Sequence, residues 1–425
     1  MDWYEEFSSK VFDCMDDTKL RRALEKAASN FISKKYALTG SSRAIGLLRK
    51  KLREIREESV ERIDDLRRQF KENVEELGGT VYSASDAREA NEIVCSIVGE
   101  RNLIVKGKSM TSEEIGLNEY LASRGKTVLE TDLGERILQA GGLKGSHTVV
   151  PAVHLPRERI AEILSETLCQ ELPPEPVVLT KAVRESLRGV WMKSEVGISG
   201  ANCLVAETGS IVIVENEGNA RFVSNAPPTH VVVAGIDKLV PTLADASTLL
   251  QVLPTYATGQ KLCSYVSIIT GPSRTADIEL TTVLGVHGPN DLHVVLLDNG
   301  RNRMRRDPAF KEAMYCIKCG SCLNTCLVYQ MLGGEYGEVY LGGIGSVWTY
   351  FTGNAEKAAR AAWACSGCGR CTVECPLEID VPTMVEELRA RLAAEGLRPY
   401  PVDALVHNIQ KTGTPYAPGR GGEGA

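Results

Sequence analysis

Eight of the chain's thirteen cysteines fall in two runs of one spacing. The first is Cys316, Cys319, Cys322 and Cys326; the second is Cys365, Cys368, Cys371 and Cys375, each 49 residues after its counterpart. Three soft thiolates at i, i+3 and i+6 wrap a loop around one face of an iron–sulfur cubane. A fourth must close the site from elsewhere, and in this C-x2-C-x2-C-x3-C pattern the last cysteine of each run serves the other cluster. The expected ligand sets are therefore Cys316, Cys319, Cys322 and Cys375 for one [4Fe–4S] cluster, and Cys365, Cys368, Cys371 and Cys326 for the other. Pro376 completes the second run, and Gly320, Gly367 and Gly369 suit a tight backbone around the sulfurs. Two structural zinc sites would also take four thiolates each, but zinc sites pair two C-x2-C knuckles rather than running three cysteines to a fourth before proline. Such clusters carry single electrons, and nothing in either loop offers an acid, a base or an open metal position for substrate chemistry.

The 38 residues between the runs include "NAEKAARAAWAC", an alanine-rich stretch that predicts a helix entering the second run, and "PTMVEELRARLAAEG" predicts another leaving it. Residues 301–400 thus resemble the all-α helical ferredoxin type of heterodisulfide-reductase-like complexes rather than a compact βαββαβ ferredoxin. "RNRMRRDP" at 301–308 reads as a solvated basic linker into this domain, or else as a charged edge that docks a partner or compensates the clusters' negative charge. Residues 401–425 read as a C-terminal tail whose glycines and prolines predict a peripheral or disordered end. The other five cysteines, Cys14, Cys95, Cys169, Cys203 and Cys263, stand singly and read as buried small hydrophobes.

Upstream, residues 1–77 read as a helical extension, with Leu47, Leu48, Leu52, Ile55, Val60, Ile63, Leu66 and Phe70 at spacings of mostly three, four or seven. From 78 to 300 strands and helices alternate: "TVYSA", "NLIVKG", "KTVLET", a hairpin turning near Gly209, "HVVVAG", "CSYVSIIT" and "LHVVLLDNG". That predicts an α/β domain with a largely buried sheet. "LCQELPPEPVV" reads as a surface connection within it. No G-x-G-x-x-G follows a strand, and the Gly-Lys-Ser at 107–109 lacks the upstream glycine of a P-loop. Polar residues crowd three stretches: Lys106, Lys108, Ser109, Glu113 and Glu114; Glu207, Thr208, Ser210, Glu215, Asn216, Arg221 and His230; Arg274, Thr275, Asp277, Glu279 and His287. Together they predict a polar cleft at the strand ends, with Glu207, Arg221, His230, Arg274 and Glu279 as candidate catalytic residues. An Arg221–Arg274 pair would suit a bidentate carboxylate clamp.

The same stretches, in order, resemble a known family. "KSMTSEEIGLNEYL", "HTVVPAVHL", "ETGSIVIVENEGNARFVSNAPPTHVVVAG", "GPSRTADIE" and then the doubled cysteine run are similar to the LUD-domain iron–sulfur proteins of lactate utilisation, of the LutB/LldF type. The resemblance implies an α/β LUD domain related to the sugar-phosphate isomerase and CoA-transferase superfamily, followed by the helical ferredoxin domain. It implies an electron-transfer subunit of a multi-subunit system oxidising L-lactate to pyruvate, with a CCG-domain subunit and a second LUD-domain subunit as partners. A flavoprotein or other electron acceptor would take the two-electron step, since no flavin fingerprint is present here. The alternatives are that the LUD cleft itself oxidises a small 2-hydroxy acid, or that the chain serves a heterodisulfide-reductase-like complex with another substrate. A net charge of -6 gives no reason to expect nucleic acid. The start lacks the basic and apolar regions of a signal peptide, and no window reaches a transmembrane span. A cytoplasmic location, with membrane association only through partners, is the expectation.

Overall fold

The computed structural model describes residues 3–40 and 42–416. Along them run the strands β1 (Thr80–Ala84), β2 (Leu103–Lys106), β3 (Thr127–Glu130), β4 (Val196–Ser199), β5 (Cys203–Val205), β6 (Ser210–Glu215), β7 (Thr229–Gly235), β8 (Leu239–Val240), β9 (Tyr265–Ile269), β10 (Arg274–Thr275), β11 (Val283–Leu284) and β12 (Asp291–Leu297). Six of them form one all-parallel sheet in the order β1-β12-β7-β4-β2-β3. Both faces are covered, so its strands read as near-continuous apolar runs. Leu292, Val294 and Leu296 of β12 enter one core while Val295 and Leu297 enter another, as the two-residue period of a strand requires. A second sheet, β8-β5-β6-β9, is built around the β5–β6 hairpin, which turns at Gly209 with φ +63°.

The order of the parallel strands creates a crevice. From β2 the chain steps to β3 at one edge, whereas from β4 it steps the other way, to β7 and then β12. β2 and β4 are neighbours, so the chain leaves them in opposite directions and the sheet opens beyond their carboxyl ends. Close packing beside this crevice depends on Gly197 in β4, where a Cβ would run into the carbonyl of Val223 on the helix Asn219–Asn225. Backbone on both sides leaves nothing to yield. Gly197→Ala is expected to cost about 3 kcal/mol, read as a lower urea midpoint; an unchanged midpoint would contradict this packing.

The predicted N-terminal helical region is four helices: Trp3–Asp16, Thr18–Thr39, Arg43–Glu61 and Ile63–Glu76. The long periodic stretch breaks at Arg62 (φ −97°, ψ 17°), which turns Leu52, Ile55, Val60, Ile63, Leu66 and Phe70 into one core while Leu47 stays exposed. After residue 300 the regular elements are helical, among them Gly342–Phe351, Ala355–Ala364, Val381–Ala394 and Tyr400–Thr412.

Four expectations need correction. The basic stretch at 301–308 is not a solvated linker: Arg301 opens the helix Arg301–Arg306 and is 1% exposed. The tail begins as the helix Tyr400–Thr412, and its last residues, 417–425, lie outside the described residues. Pro176 ends the proline-rich connection by starting the helix Pro176–Trp191, a position where its missing N–H costs nothing. Cys203 and Cys263 are buried as expected, but Cys14 and Cys95 are only partly so, and Cys169 is exposed, capping the helix Arg157–Leu168 in a left-handed conformation (φ 51°).

Candidate functional site

The two cysteine runs fold alike. In each, the residue before the second cysteine is left-handed, Lys318 at φ 59° and Gly367 at φ 67°, and so is the glycine after it, Gly320 at φ 73° and Gly369 at φ 75°. Short helices then carry the third cysteine, Ser321–Asn324 and Arg370–Glu374. These turns bring backbone N–H groups toward sulfur: Lys318 donates to Cys316 Sγ (3.4 Å), and the amides of Ser321, Arg370, Val328 and Tyr329, and Leu377 and Ile379 favour the thiolates of Cys319, Cys368, Cys326 and Cys375 in turn.

The sulfurs sort into two neighbourhoods. Burial pushes the Cys322 thiol well above its usual range, and the next contributions come from Cys319, Cys316 and Cys375, then from Cys371. Cys371 is pushed up to about 12 by burial and then by Cys365 and Cys326. A small cavity is lined by Cys322, Cys326, Cys365, Cys368 and Cys371. Among the described residues no three Cys, His, Asp or Glu side chains gather tightly enough for a single metal ion; a cubane takes its thiolates at separate iron corners. Thiols gathered this closely, with backbone N–H groups beside their sulfurs, are a donor set that fits such a cationic core.

Cationic side chains hold this region together. The N-terminal helices reach the segment after Cys375: Arg49 donates to the carbonyls of Cys375 (3.0 Å) and Pro376 (3.1 Å), and Arg53 to that of Leu377 (2.6 Å). Buried Lys35 pairs with Glu374, which also accepts from the Tyr36 hydroxyl. Arg389 donates to the carbonyls of Ala362 (2.8 Å) and Cys365.

A buried charge network joins the parallel sheet to the first cysteine loop. Arg301 forks onto Glu114 (2.9 and 2.8 Å) and donates through Nε to Asp237, just beyond β7. Glu114 also accepts from Asn299 (2.7 Å) and the Tyr340 hydroxyl. Burial alone would raise the Asp237 carboxyl, but Arg301, Lys238 and Lys318 together hold it well below its ordinary value. Lys318 Nζ lies over the Tyr340 ring, 4.3 Å from its centroid, and against Trp348. Burial pushes this ammonium down to about 7, with Cys316 and Asp237 as the neighbours that favour its charge.

Beyond β2 and β4 lies a cavity of about 360 Å³. Gly107–Thr111 and Ser199–Asn202 line it from beyond the two strands, joined by Asp237 and Lys238 and, from the first cysteine loop and its neighbourhood, Ile317, Lys318 and Tyr340. Asp132, Glu215 and Glu217 line it as well. Glu217 is pushed up to about 7 by desolvation and by the charge on Asp132. A larger hollow, about 640 Å³, opens on the other side of Lys108 beside Glu113, Glu130 and Glu135. There Lys108 is ion-paired to Glu135, and burial pushes Glu113 up to about 7.

The residues singled out as catalytic candidates do not converge. Glu207 is exposed and caps the helix Leu243–Ala257 through the Leu243 N–H (3.2 Å). Arg221 is exposed over the Tyr265 ring, while its own N–H donates to Glu215. His230 is fully buried, bonded to Ser199 Oγ (2.8 Å), and held neutral, its pKa lowered to about 3 by burial. Arg274 and Glu279 lie exposed on the β10–β11 hairpin and its connection, outside the cavity lining. Of the polar stretches, Lys108, Ser109, Glu215 and Asn216 do line the cavity.

Sequence reasoning passed over Asp237, Lys238, Arg301 and Lys318. Arg301 sat in a run of like charges, which ordinarily means a solvated face. Lys318 carried one readable signal: it occupies the motif position where the second run has Gly367.

Known proteins share both halves of this arrangement. The LUD domain family model matches residues 67–297, and the 4Fe-4S dicluster domain model matches residues 312–379. "Lactate utilization protein B" of Bacillus thuringiensis (strain Al Hakam) is 34% identical over 427 residues, covering 97% of this chain and 88% of that protein. "Uncharacterized electron transport protein YkgF" of Escherichia coli (strain K12) is 34% identical over 395 residues, covering 92% of this chain and 81% of that protein. Among solved structures, a DUF162 family protein from Deinococcus radiodurans aligns with 55% of this chain and 98% of its own, at 14% identity and a TM-score of 0.31.

Proposed function

The chain belongs to the LUD-domain iron–sulfur family that includes lactate utilization protein B, and we propose that it is the electron-transfer subunit of a complex oxidising L-lactate to pyruvate. One [4Fe–4S] cluster sits on Cys316, Cys319, Cys322 and Cys375, the other on Cys365, Cys368, Cys371 and Cys326. The observation that supports this reading is that both cysteine runs fold into the same pair of left-handed turns, with Cys375 acting on Cys319 and Cys322, and Cys326 lining one small cavity with Cys365, Cys368 and Cys371. When bound, such clusters supply one-electron transfer. The protein's own residues hold the loops, direct N–H groups at the sulfurs and place Lys35, Arg49 and Arg389 around them. Lactate oxidation releases two electrons and two protons, so a two-electron acceptor on a partner must stand between lactate and these clusters.

A CCG-domain subunit and a second LUD-domain subunit are the proposed partners. No helix among the described residues is long and apolar enough to cross a membrane; the cytoplasm is the proposed compartment. Anaerobic reconstitution tests the cofactor content: about eight irons per chain and reversible one-electron reduction of both clusters are expected. Bound zinc, or iron that no reductant reversibly titrates, would contradict the reading.

A second reading, that the LUD domain binds a small acid itself, draws on the cavity beyond β2 and β4, where buried lysines face the empty space.

A further inference from the structure

We propose that the Tyr336 hydroxyl donates a hydrogen bond to sulfur of the cluster held by Cys365, Cys368, Cys371 and Cys326. This bond, together with the N-terminus of the helix Gly342–Phe351, raises the reduction potential of that cluster. The inference rests on the cluster reading above and adds to it a side chain that lies outside both cysteine runs.

Tyr336 is fully buried, in one core with Leu323, Tyr329 and Leu332. Its hydroxyl has no hydrogen-bond partner within the protein. A buried hydroxyl left in that state is costly, and phenylalanine would fill the same place without the cost. The side chain lines the small cavity that Cys326, Cys365, Cys368 and Cys371 share with Cys322. Burial, and then Cys365, Cys326 and Cys371, push its ionisation far above the ordinary phenol value. The hydroxyl therefore keeps its proton and meets sulfur as a donor. Its backbone is fixed as well, because the Tyr336 carbonyl accepts from the Gly342 N–H at 2.8 Å.

The helix that starts at Gly342 supplies an independent observation. It is ten residues long, and no side chain caps its N-terminus. Gly342, Gly343 and Ile344, its first three residues, line the same cavity. A Cβ on Gly343 would stand 3.5 Å from Cys365 Sγ and 3.0 Å from Val381 Cγ1, so glycine lets the backbone approach the sulfur closely. The first N–H groups of a helix lack intrahelical partners and favour negative charge in front of them. Reduction adds one electron to the cluster, drawn from a one-electron donor, and no bond breaks. Both the hydroxyl and the helix end favour the more negative, reduced form, while the proton stays on Tyr336.

Tyr336→Phe removes the oxygen and keeps the ring. The full chain, parent and variant, would be reconstituted anaerobically and titrated with redox mediators while the two EPR signals are followed. Each signal is assigned by its loss in Cys368→Ala or in Cys319→Ala. The signal lost in Cys368→Ala is expected to titrate at a lower potential in Tyr336→Phe. Its reduced form should be disfavoured by roughly tenfold, the worth of one charge-assisted hydrogen bond, which for one electron is about 59 mV. The signal lost in Cys319→Ala and the iron content should both hold. An unmoved potential, or an equal shift of both signals, overturns the proposal. Loss of iron from the variant alone overturns it too, since the hydroxyl would then support the loop rather than tune the cluster. A parent chain without two assignable signals would instead count against the cluster reading.

Discussion

Replacing Cys375 with alanine is expected to damage the cluster wrapped by residues 316–322 and to spare the one wrapped by residues 365–371. Cys375 lies within the second run, but its sulfur neighbours the first: burial pushes it up to about 11, Cys316 acts on it, and it acts in turn on Cys319. Arg49 holds its backbone from the N-terminal helices, so the segment stays in place when the thiol is lost. Iron should fall from about eight per chain toward about four, or toward a three-iron remnant at one site. The decisive comparison is pairwise. Cys375→Ala and Cys319→Ala should erase the same EPR signal, and Cys326→Ala and Cys368→Ala the other. If Cys375→Ala instead matches Cys368→Ala, each run closes its own site and the crossed assignment is wrong.

Arg301→Met is expected to lower stability by about 3–5 kcal/mol, the cost of leaving a buried ion network without its cation. Asp237 is 2% exposed, and the Glu114 side chain is equally buried. Both accept from this one guanidinium, so its removal strands two carboxylates at once. Against a total stability of about 5–15 kcal/mol this is a large fraction. Arg301→Lys should recover only part, because an ammonium cannot fork onto Glu114 while also reaching Asp237. Asp237 also gives the network a pH sign. Its carboxyl is held below its unfolded value of about 3.9, so its contribution is complete above that pH and is lost as pH falls through the lower, folded value. Urea unfolding at neutral pH checks the magnitude; a loss under about 1 kcal/mol would show the network to be dispensable.

Much of the fold is legible in the sequence. The cysteine spacing leads to the proposed ligand sets because three thiolates on one loop leave a cubane one ligand short. Apolar runs such as "HVVVAG" and "LHVVLLDNG" identify strands buried on both faces, and they form β7 and β12. β4 escapes because four residues broken by glycine carry too little pattern. The site residues are less legible, for a physical reason. Arg274, Glu279 and Arg221 stand out by charge, yet charge in a sequence marks solvent exposure as readily as function, and all three are exposed. Asp237 and Arg301 are buried because distant segments neutralise them, and the 64 residues between the two hide that pairing from any local reading.

The central claim is that electrons pass through this chain from lactate by way of a partner. The direct test is anaerobic: the oxidised chain is mixed with L-lactate, alone and together with the proposed CCG-domain and LUD-domain subunits, while cluster absorbance and EPR are followed. Lactate is expected to reduce both clusters in the complex and to leave them oxidised in the isolated chain. Reduction of the isolated chain by lactate alone, or clusters that stay oxidised in a complex turning over lactate, would contradict the claim.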